Sequence, residues 1–289
     1  MQTNTNKYYF LIFILLLGNL FVWKEIYHFL SHPGLRVVFF DIGQGDAIFI
    51  ETFQGHQILI DGGGNRWLIL KKLAKEMPFW DRSLDLVILT HPDSDHLRGL
   101  VEVLKRFKVE NILWNGVEKP TYTFKRWKEN LEKEKGNKLI AQAGQKIEAG
   151  ILKIFILYPF QNLKGKFLNR ATNDTSVVSY FLFGKNKFLF TGDITQKVEK
   201  ELIECYSFKL DSDILKIAHH GSKTSSSKEF LEKVSPKFGI ISCAKNNPYH
   251  FPHQEVLQRL KEFGIKILRT DQKGDIKIVS DGNYLGIKK

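Results

Sequence analysis

Residues 8 to 23, YYFLIFILLLGNLFVW, carry no charge, and apolar side chains continue at Ile26, Tyr27, Phe29 and Leu30. A helix crosses a bilayer with about 20 apolar residues. The stretch therefore predicts a membrane anchor over residues 1–30, ahead of one large domain over 31–289. A cleaved signal peptide is the alternative, although no small-residue cleavage site follows the run. Lys7 precedes the run while Lys24 and Glu25 cancel behind it, a bias that leaves the amino terminus in the cytoplasm. The expected location is membrane-anchored with the domain outside the cytoplasm, or secreted where the segment is removed.

Beyond the anchor the period changes. LRVVFF, AIFIET and HQILID are short β-type runs separated by the glycine turns DIGQGD and DGGGN, and they read as three consecutive strands of one sheet. RWLILKKLAKEM has helical spacing, LDLVILT is an unbroken apolar strand of the kind covered on both faces, and HLRGLVEVLKRF returns to the helical period. NILWNG reads as a strand and FKRWKENLEKEKG as a solvated helix with Phe124 and Trp127 as core contacts. A second series repeats this grammar, from the strands ILKIFILYP, TSVVSYFLFG and KFLFTGD through ITQKVEKELIECY and DILKIAHHGS to IKILRT and DIKIVS. The two halves predict an α/β fold of two mixed sheets packed face to face with helices outside, and a pseudo-duplication of one plan.

Composition adds three constraints. With 289 residues, 43% of them apolar and 26% charged, the chain can bury a sizeable core, which excludes a disordered protein. Lys and Arg number 43 against 31 acidic residues, and a net charge of +12 attracts polyanions such as nucleic acid or anionic headgroups. Two cysteines, Cys205 and Cys243, exclude a disulfide framework.

The chemistry sits where apolar strands end. LVILT runs into His91, KFLFTG into Asp193, DILKIA into His219 and His220, and FGIISCA precedes His250. Strand ends share a sheet edge, where loops pool side chains from distant parts of the chain. Within THPDSDH, His91, Asp93, Asp95 and His96 offer imidazole and carboxylate to two adjacent cations, a set suited to zinc, iron or manganese. The carboxylate at Asp93 raises the share of oxygen donors and brings manganese into competition with zinc. Helix capping explains one aspartate of this set and leaves the other residues unexplained.

THPDSDH, LFTGD and AHHGS resemble the signature motifs of the metallo-β-lactamase fold, in the variant that reads HxDxDH. With FFDIGQGDAIFIET, ILIDGGG and NPYHFPHQEVLQRLKEFGIKILRTDQKGDI, the resemblance narrows to the extracytoplasmic hydrolase domain of the ComEC competence proteins, over residues 35 to about 280. It implies an αββα sandwich and a metal-dependent nuclease. It also implies metal-ligand roles for His91, Asp93, Asp95, His96 and Asp193, with Asp193 bridging two divalent ions and with Asp93, Asp95 and Asp193 at the centre of catalysis. One of His219 and His220 matches a late ligand. Two such ions, zinc or manganese, would supply an acidic water for attack on phosphorus, so no protein nucleophile is needed.

Where related enzymes have a further histidine, this chain has Asn173 to Ser176, and Asn173 or Ser176 is expected to hold a water or a phosphate oxygen. Ser222 and Lys223 either grip phosphate or belong to the start of the next helix. The family often reads Tyr-Gly-His-Pro near its end; here Tyr249-His250-Phe251-Pro252-His253 displaces the imidazole by a residue, leaving His250 or His253 to reach substrate. Asp46 and Asp61 are expected to brace the metal loops from behind, and Asp41 and Gln44 to complete the turns. The expected substrate is DNA. A phosphodiesterase for small or lipid-headgroup substrates is the rival within the same chemistry, and a non-catalytic DNA-binding competence accessory is the rival outside it. ComEC proteins carry a multi-helix channel beside this domain, so a DNA-uptake channel is expected as a separate partner.

Overall fold

The computed structural model describes residues 3–31, 34–170, 172–206 and 210–288. Helix α1 (Thr3–Ser31) exposes every side chain from Asn6 to Lys24 and is long and apolar enough over that stretch to cross a membrane. The chain then enters β1 (Leu35–Phe39), β2 (Ile48–Thr52) and β3 (Gln57–Ile60), an antiparallel meander. Helix α2 (Arg66–Glu76) leads to β4 (Ser83–Leu89), α3 (Ser94–Val103) to β5 (Lys108–Trp114), and α4 (Tyr122–Lys133) to β6 (Asn137–Ile140). These three strands extend the sheet in parallel.

The second sheet repeats the plan. After an edge strand, β7 (Lys146–Ala149), the meander β8 (Leu152–Tyr158), β9 (Val178–Phe183) and β10 (Asn186–Phe190) is antiparallel. Helix α5 (Gln196–Tyr206), then α6 (Lys228–Val234), then α7 (Gln254–Glu262) precede the parallel strands β11 (Ile214–Lys216), β12 (Phe238–Ile241) and β13 (Lys266–Arg269) respectively. A short helix, α8 (Thr270–Lys273), turns the chain back so that β14 (Ile276–Ser280) pairs with β1, and β15 (Leu285–Lys288) closes the first sheet.

Alternation along the strands builds three apolar layers. Val37, Phe39, Ile60 and Ile88 meet Ile154, Phe181, Phe188 and Phe190 between the sheets. Val38, Leu59, Val87 and Leu89 face Ile69, Leu73, Leu100 and Trp127 on one outer face, and Leu189, Leu215 and Ile217 face Val198, Phe230 and Leu260 on the other. Burial on both faces is why LDLVILT lacks alternation. One contact fixes α3 against the turn after β3. A Cβ on Gly99 would lie 1.9 Å from the Gly62 carbonyl oxygen, so only glycine admits the approach that lets Gly62 N–H donate to His96 O at 2.7 Å.

Candidate metal centre

The loops leaving β1, β3, β4, β10, β11 and β12 meet along one side of the sandwich. His91 and His96 come from the β4–α3 connection, Asp193 follows β10, and His220 follows β11. Ligand atoms of Asp95, His96, Asp193 and His220 all lie within 4.8 Å of one another. Asp193 Oδ2 is 3.3 Å from His96 Nε2 and 3.4 Å from His220 Nε2, and Asp95 Oδ2 is 3.3 Å from His220 Nε2. The His91 ring centroid is 4.2 Å from that of His96. Asp93 sits at the rim, its Oδ2 3.9 Å from His91 Nε2. Although Asp93 holds the N-cap position of α3, it makes no cap hydrogen bond; its Oδ1 accepts from Lys119 Nζ at 2.5 Å and from the Thr172 hydroxyl. An N-cap aspartate normally turns to the helix amides, and this one is turned into the site.

Each imidazole of the group is held by its Nδ1. His96 Nδ1 donates to Asp61 Oδ2 at 2.7 Å and His220 Nδ1 to the Ser242 carbonyl at 2.8 Å. Thr90 gives its hydroxyl proton to Asp61, at 2.6 Å, and so its oxygen accepts from His91 Nδ1 at 3.1 Å. The three Nε2 atoms, together with Asp193 Oδ1, are buried and have no hydrogen-bond partner. Buried nitrogens left unpaired are costly unless something else satisfies them, and lone pairs converging beside carboxylates fit divalent cations. The residues present therefore fit the metal ions that the motifs imply.

In the metal-free chain, the imidazoles and carboxylates of the site act on one another. Burial pushes His91 and His219 below the usual histidine range. Burial opposes charge at His96 and His220 as well, but Asp193 together with Asp61 for His96, and with Asp46 and Asp95 for His220, lifts both well above it. At Asp93, Asp95 and Asp193 burial works upward and is outweighed by the imidazoles, with Lys119 adding to the effect at Asp93, so all three carboxyls lie low.

His219 stands outside the group. It and His220 do not lie on a strand; both adopt left-handed backbone, φ 49° and 55°, and this turn sends their rings different ways. The His219 ring lies beside Asn173 Nδ2, 3.1 Å from its Nε2, and 5.4 Å from the Phe251 ring. Ser176 is fully buried, accepting from Asp193 N–H at 3.1 Å with His91 Nδ1 3.3 Å away, so it braces two site loops rather than facing solvent. A cavity of about 580 Å³ opens over the group, lined among others by Asp93, Asp95, Asn173, His219 and Phe251. Ser222, Lys223 and His250 are not among its lining residues. Ser222 bonds Thr224, Lys223 is exposed with its amide on His253 Nδ1, and Tyr249 and Phe251 line the cavity where His250 was expected. Asp61 lies behind His96, accepting from its Nδ1. Asp46 pairs with Lys216 at 2.7 Å and lies 3.5 Å from His220 Nδ1. Asp41 accepts from Gly43 N–H within its turn, and Gln44 Oε1 accepts from Ala244 N–H, tying that turn to the loop after β12.

Sequence reasoning passed over Thr90, Lys119, Thr172 and Lys216. Thr90 adjoins His91 and Lys216 closes the strand before the histidine pair, so both were within reach of the motif. Lys119 and Thr172 join Asp93 only through the fold.

A fold of two mixed sheets with flanking helices and a histidine–aspartate cluster on loops at one side is that of the metallo-beta-lactamases, and the chain belongs to the Metallo-beta-lactamase superfamily, whose family model matches residues 40–245. Among curated relatives it is similar to ComE operon protein 3 of Bacillus subtilis, 33% identical over 273 residues covering 87% of this chain and 34% of that protein. It is also similar to Recombination protein 2 of Haemophilus influenzae, 32% identical over 269 residues covering 92% of this chain and 31% of that protein. These are competence proteins of the ComEC family, and the chain spans about a third of their length. Among solved structures, the metallo-beta-lactamase fold protein YhfI of Bacillus subtilis matches with a TM-score of 0.58 at 14% identity, covering 88% of this chain and all of that one, a likeness of fold.

Proposed function

We propose that the chain is a metal-dependent phosphodiester hydrolase acting on DNA, anchored to a membrane by α1 with the domain outside the cytoplasm. The observation that carries the reading is the meeting of ligand atoms of Asp95, His96, Asp193 and His220 within 4.8 Å of one another, with the Nε2 atoms of His91, His96 and His220 and Asp193 Oδ1 buried and unpaired and each imidazole fixed through Nδ1. His91, Asp93, Asp95, His96, Asp193 and His220 would hold two divalent ions, zinc or manganese, with His220 rather than His219 as the late ligand. Such ions supply Lewis acidity and a water acidic enough to attack phosphorus near neutral pH. The protein's own part is to fix the ligands: Asp61, Thr90 and the Ser242 carbonyl set the tautomers, and Ser176 ties the His91 loop to that of Asp193. Asn173 and His219, which line the cavity, orient the phosphate. Similarity to competence proteins and a charge of +12 support DNA over small esters.

The test uses the full chain in detergent, with manganese or zinc, and compares DNA cleavage, bis(p-nitrophenyl) phosphate turnover and gel retardation. Cleavage that requires metal and falls by several orders of magnitude in Asp193→Ala is expected. Retardation without cleavage, or an Asp193→Ala protein that still binds metal and keeps its activity, would overturn the reading.

A further inference from the structure

A second cavity, about 570 Å³ in volume, adjoins the metal cavity. The two share Gly64, Asn65 and Arg98, so they lie side by side along α3. Asp95, Arg98 and Glu102 fall three and four residues apart, on one face of that helix. From Asp95 to Glu102 the helix rises ~10 Å at about 1.5 Å per residue, enough for nucleotides flanking a scissile phosphate.

Four cations line the second cavity, Arg66, Arg98, Lys105 and Arg126, against a single carboxylate, Glu102. Glu102 already carries two partners, Lys105 at 2.7 Å and Arg106 at 2.5 Å. Among the described residues, Arg66 and Arg98 have no carboxylate partner. Two aromatic residues stand at the same groove with their side chains in solvent: Trp67 is 52% exposed and Tyr122 78%. Neither belongs to an apolar layer. The Arg66 and Arg106 guanidinium groups lie over the Trp67 indole, 5.7 and 5.2 Å from its ring centroid, so a base stacking there takes the place of a guanidinium, which is then free to turn to a phosphate. Backbone-tracking cations interleaved with exposed aromatic faces bind unpaired strands, because a base offers its face only when it is out of a duplex. The groove lies beside the metal cavity, at the strand ends opposite the end where the chain enters β1 from α1, so its occupant is a strand in solution rather than a bilayer.

We propose that the groove formed by α2, α3 and the start of α4 is a binding track for single-stranded nucleic acid. It delivers the strand past Arg98 into the metal cavity, with bases on Trp67 and Tyr122 and phosphates on Arg66 and Arg126. This rests on the phosphodiesterase reading for the strand's destination, but its binding does not require metal.

The experiment measures binding of a fluorescein-labelled oligothymidylate of about 12 nucleotides to the full chain in detergent with EDTA, so that nothing is cleaved. Trp67→Ala with Tyr122→Ala should weaken binding by about tenfold or more, since base stacking on one aromatic contributes that much. Arg66→Gln with Arg126→Gln should lower the slope of log K against log salt by about 1.4, at 0.7 per phosphate contact. Both pairs are at the surface, and their thermal melting should match wild type. With metal restored, the ratio of oligonucleotide to dinucleotide cleavage should fall in both. Wild-type affinity and salt slope in both double variants would overturn the track, as would loss of binding to anionic phosphatidylglycerol vesicles with oligonucleotide binding intact. A wild-type chain that binds through Trp67 and cleaves nothing would overturn the hydrolase reading and leave the track standing.

Discussion

Asp61 shows how much of the site rests on one carboxylate. It holds left-handed backbone, φ 57°, and accepts from Thr90 N–H at 2.8 Å, the Thr90 hydroxyl at 2.6 Å and His96 Nδ1 at 2.7 Å. Asn at this position tolerates the backbone but replaces one acceptor oxygen with a donor, so a donor loses its partner. Asp61→Asn should therefore keep the fold and lower metal affinity by about 10- to 100-fold, the usual cost of losing an outer partner of a ligating histidine. Competition against a chromophoric chelator measures this, and unchanged affinity would show that Asp61 merely shapes its turn. The raised histidines give a second expectation. In the metal-free chain, His96 and His220 have folded pKa values above their unfolded ones, so their contribution is full below the ordinary histidine range and is lost as pH rises through the raised values. Asp95 and Asp193 are depressed, so theirs is present above the ordinary carboxylate range and lost as pH falls. Metal must displace the protons on His96 and His220, and the gain in melting temperature on adding manganese should grow from pH 6 to pH 8; a gain that shrinks over that range contradicts the ligand assignment. The residue types that meet in the cluster were legible from THPDSDH because type and spacing are local. That His220 and not His219 joins the cluster was not, because it depends on two left-handed residues after β11 that no hydrophobic period records.

At the scale of elements, α3 carries the site: it presents Asp95 and His96 at its first turn and packs through Gly99 on Gly62. Adding a methyl group to Gly99 puts carbon 1.9 Å from the Gly62 oxygen, so helix and turn must separate. Gly99→Ala is expected to cost about 1–3 kcal/mol as an overpacked contact, read as a lower urea midpoint. It should also weaken metal binding, because Gly62 N–H donates to His96 O in that same contact. A midpoint unchanged from wild type would mean the loop yields without disturbing the helix. The strands and helices that pack on both sides were legible as apolar runs or helical periods, β4 and α3 among them. The three strands that were not legible are β6, β7 and β15, all edges of their sheets. Their sequences, NKLI, KIEA and LGIK, are mostly exposed or half-buried. An edge strand buries too little to need an alternating pattern and is favoured when it is short and charged. The pseudo-duplication was readable because each half repeats an antiparallel meander followed by parallel strands.

At the scale of the whole molecule, strand direction separates α1 from the histidine–aspartate cluster. β1 runs antiparallel to β2, β2 antiparallel to β3, and β3 parallel to β4, so β1, β3 and β4 point the same way. Their carboxy-terminal ends lead to Asp46, Asp61 and His91, while the chain arrives from α1 at the amino-terminal end of β1. The two edges are ~23 Å apart, the length of the seven residues of β4 at about 3.3 Å each. The anchor-side edge also carries Phe53, whose N–H donates to Gly34 O at 2.7 Å, and the α2–β4 connection with Phe79 79% and Trp80 63% exposed. Exposed aromatics are enriched at the membrane–water interface. With the proposed anchor in a bilayer, Phe79 and Trp80 would meet the headgroups and the metal cavity would open away from them, free to receive substrate from solution. Trp67, at the start of α2, belongs to the far edge. In vesicles holding a lipid-borne quencher, Trp80→Phe should remove a large share of the quenchable indole emission, whereas Trp67→Phe should remove none, the contribution of Trp23 in the anchor being common to both. The opposite order would place the catalytic edge against the membrane, where a polyanionic strand would have to thread between headgroups and protein to reach Asp193.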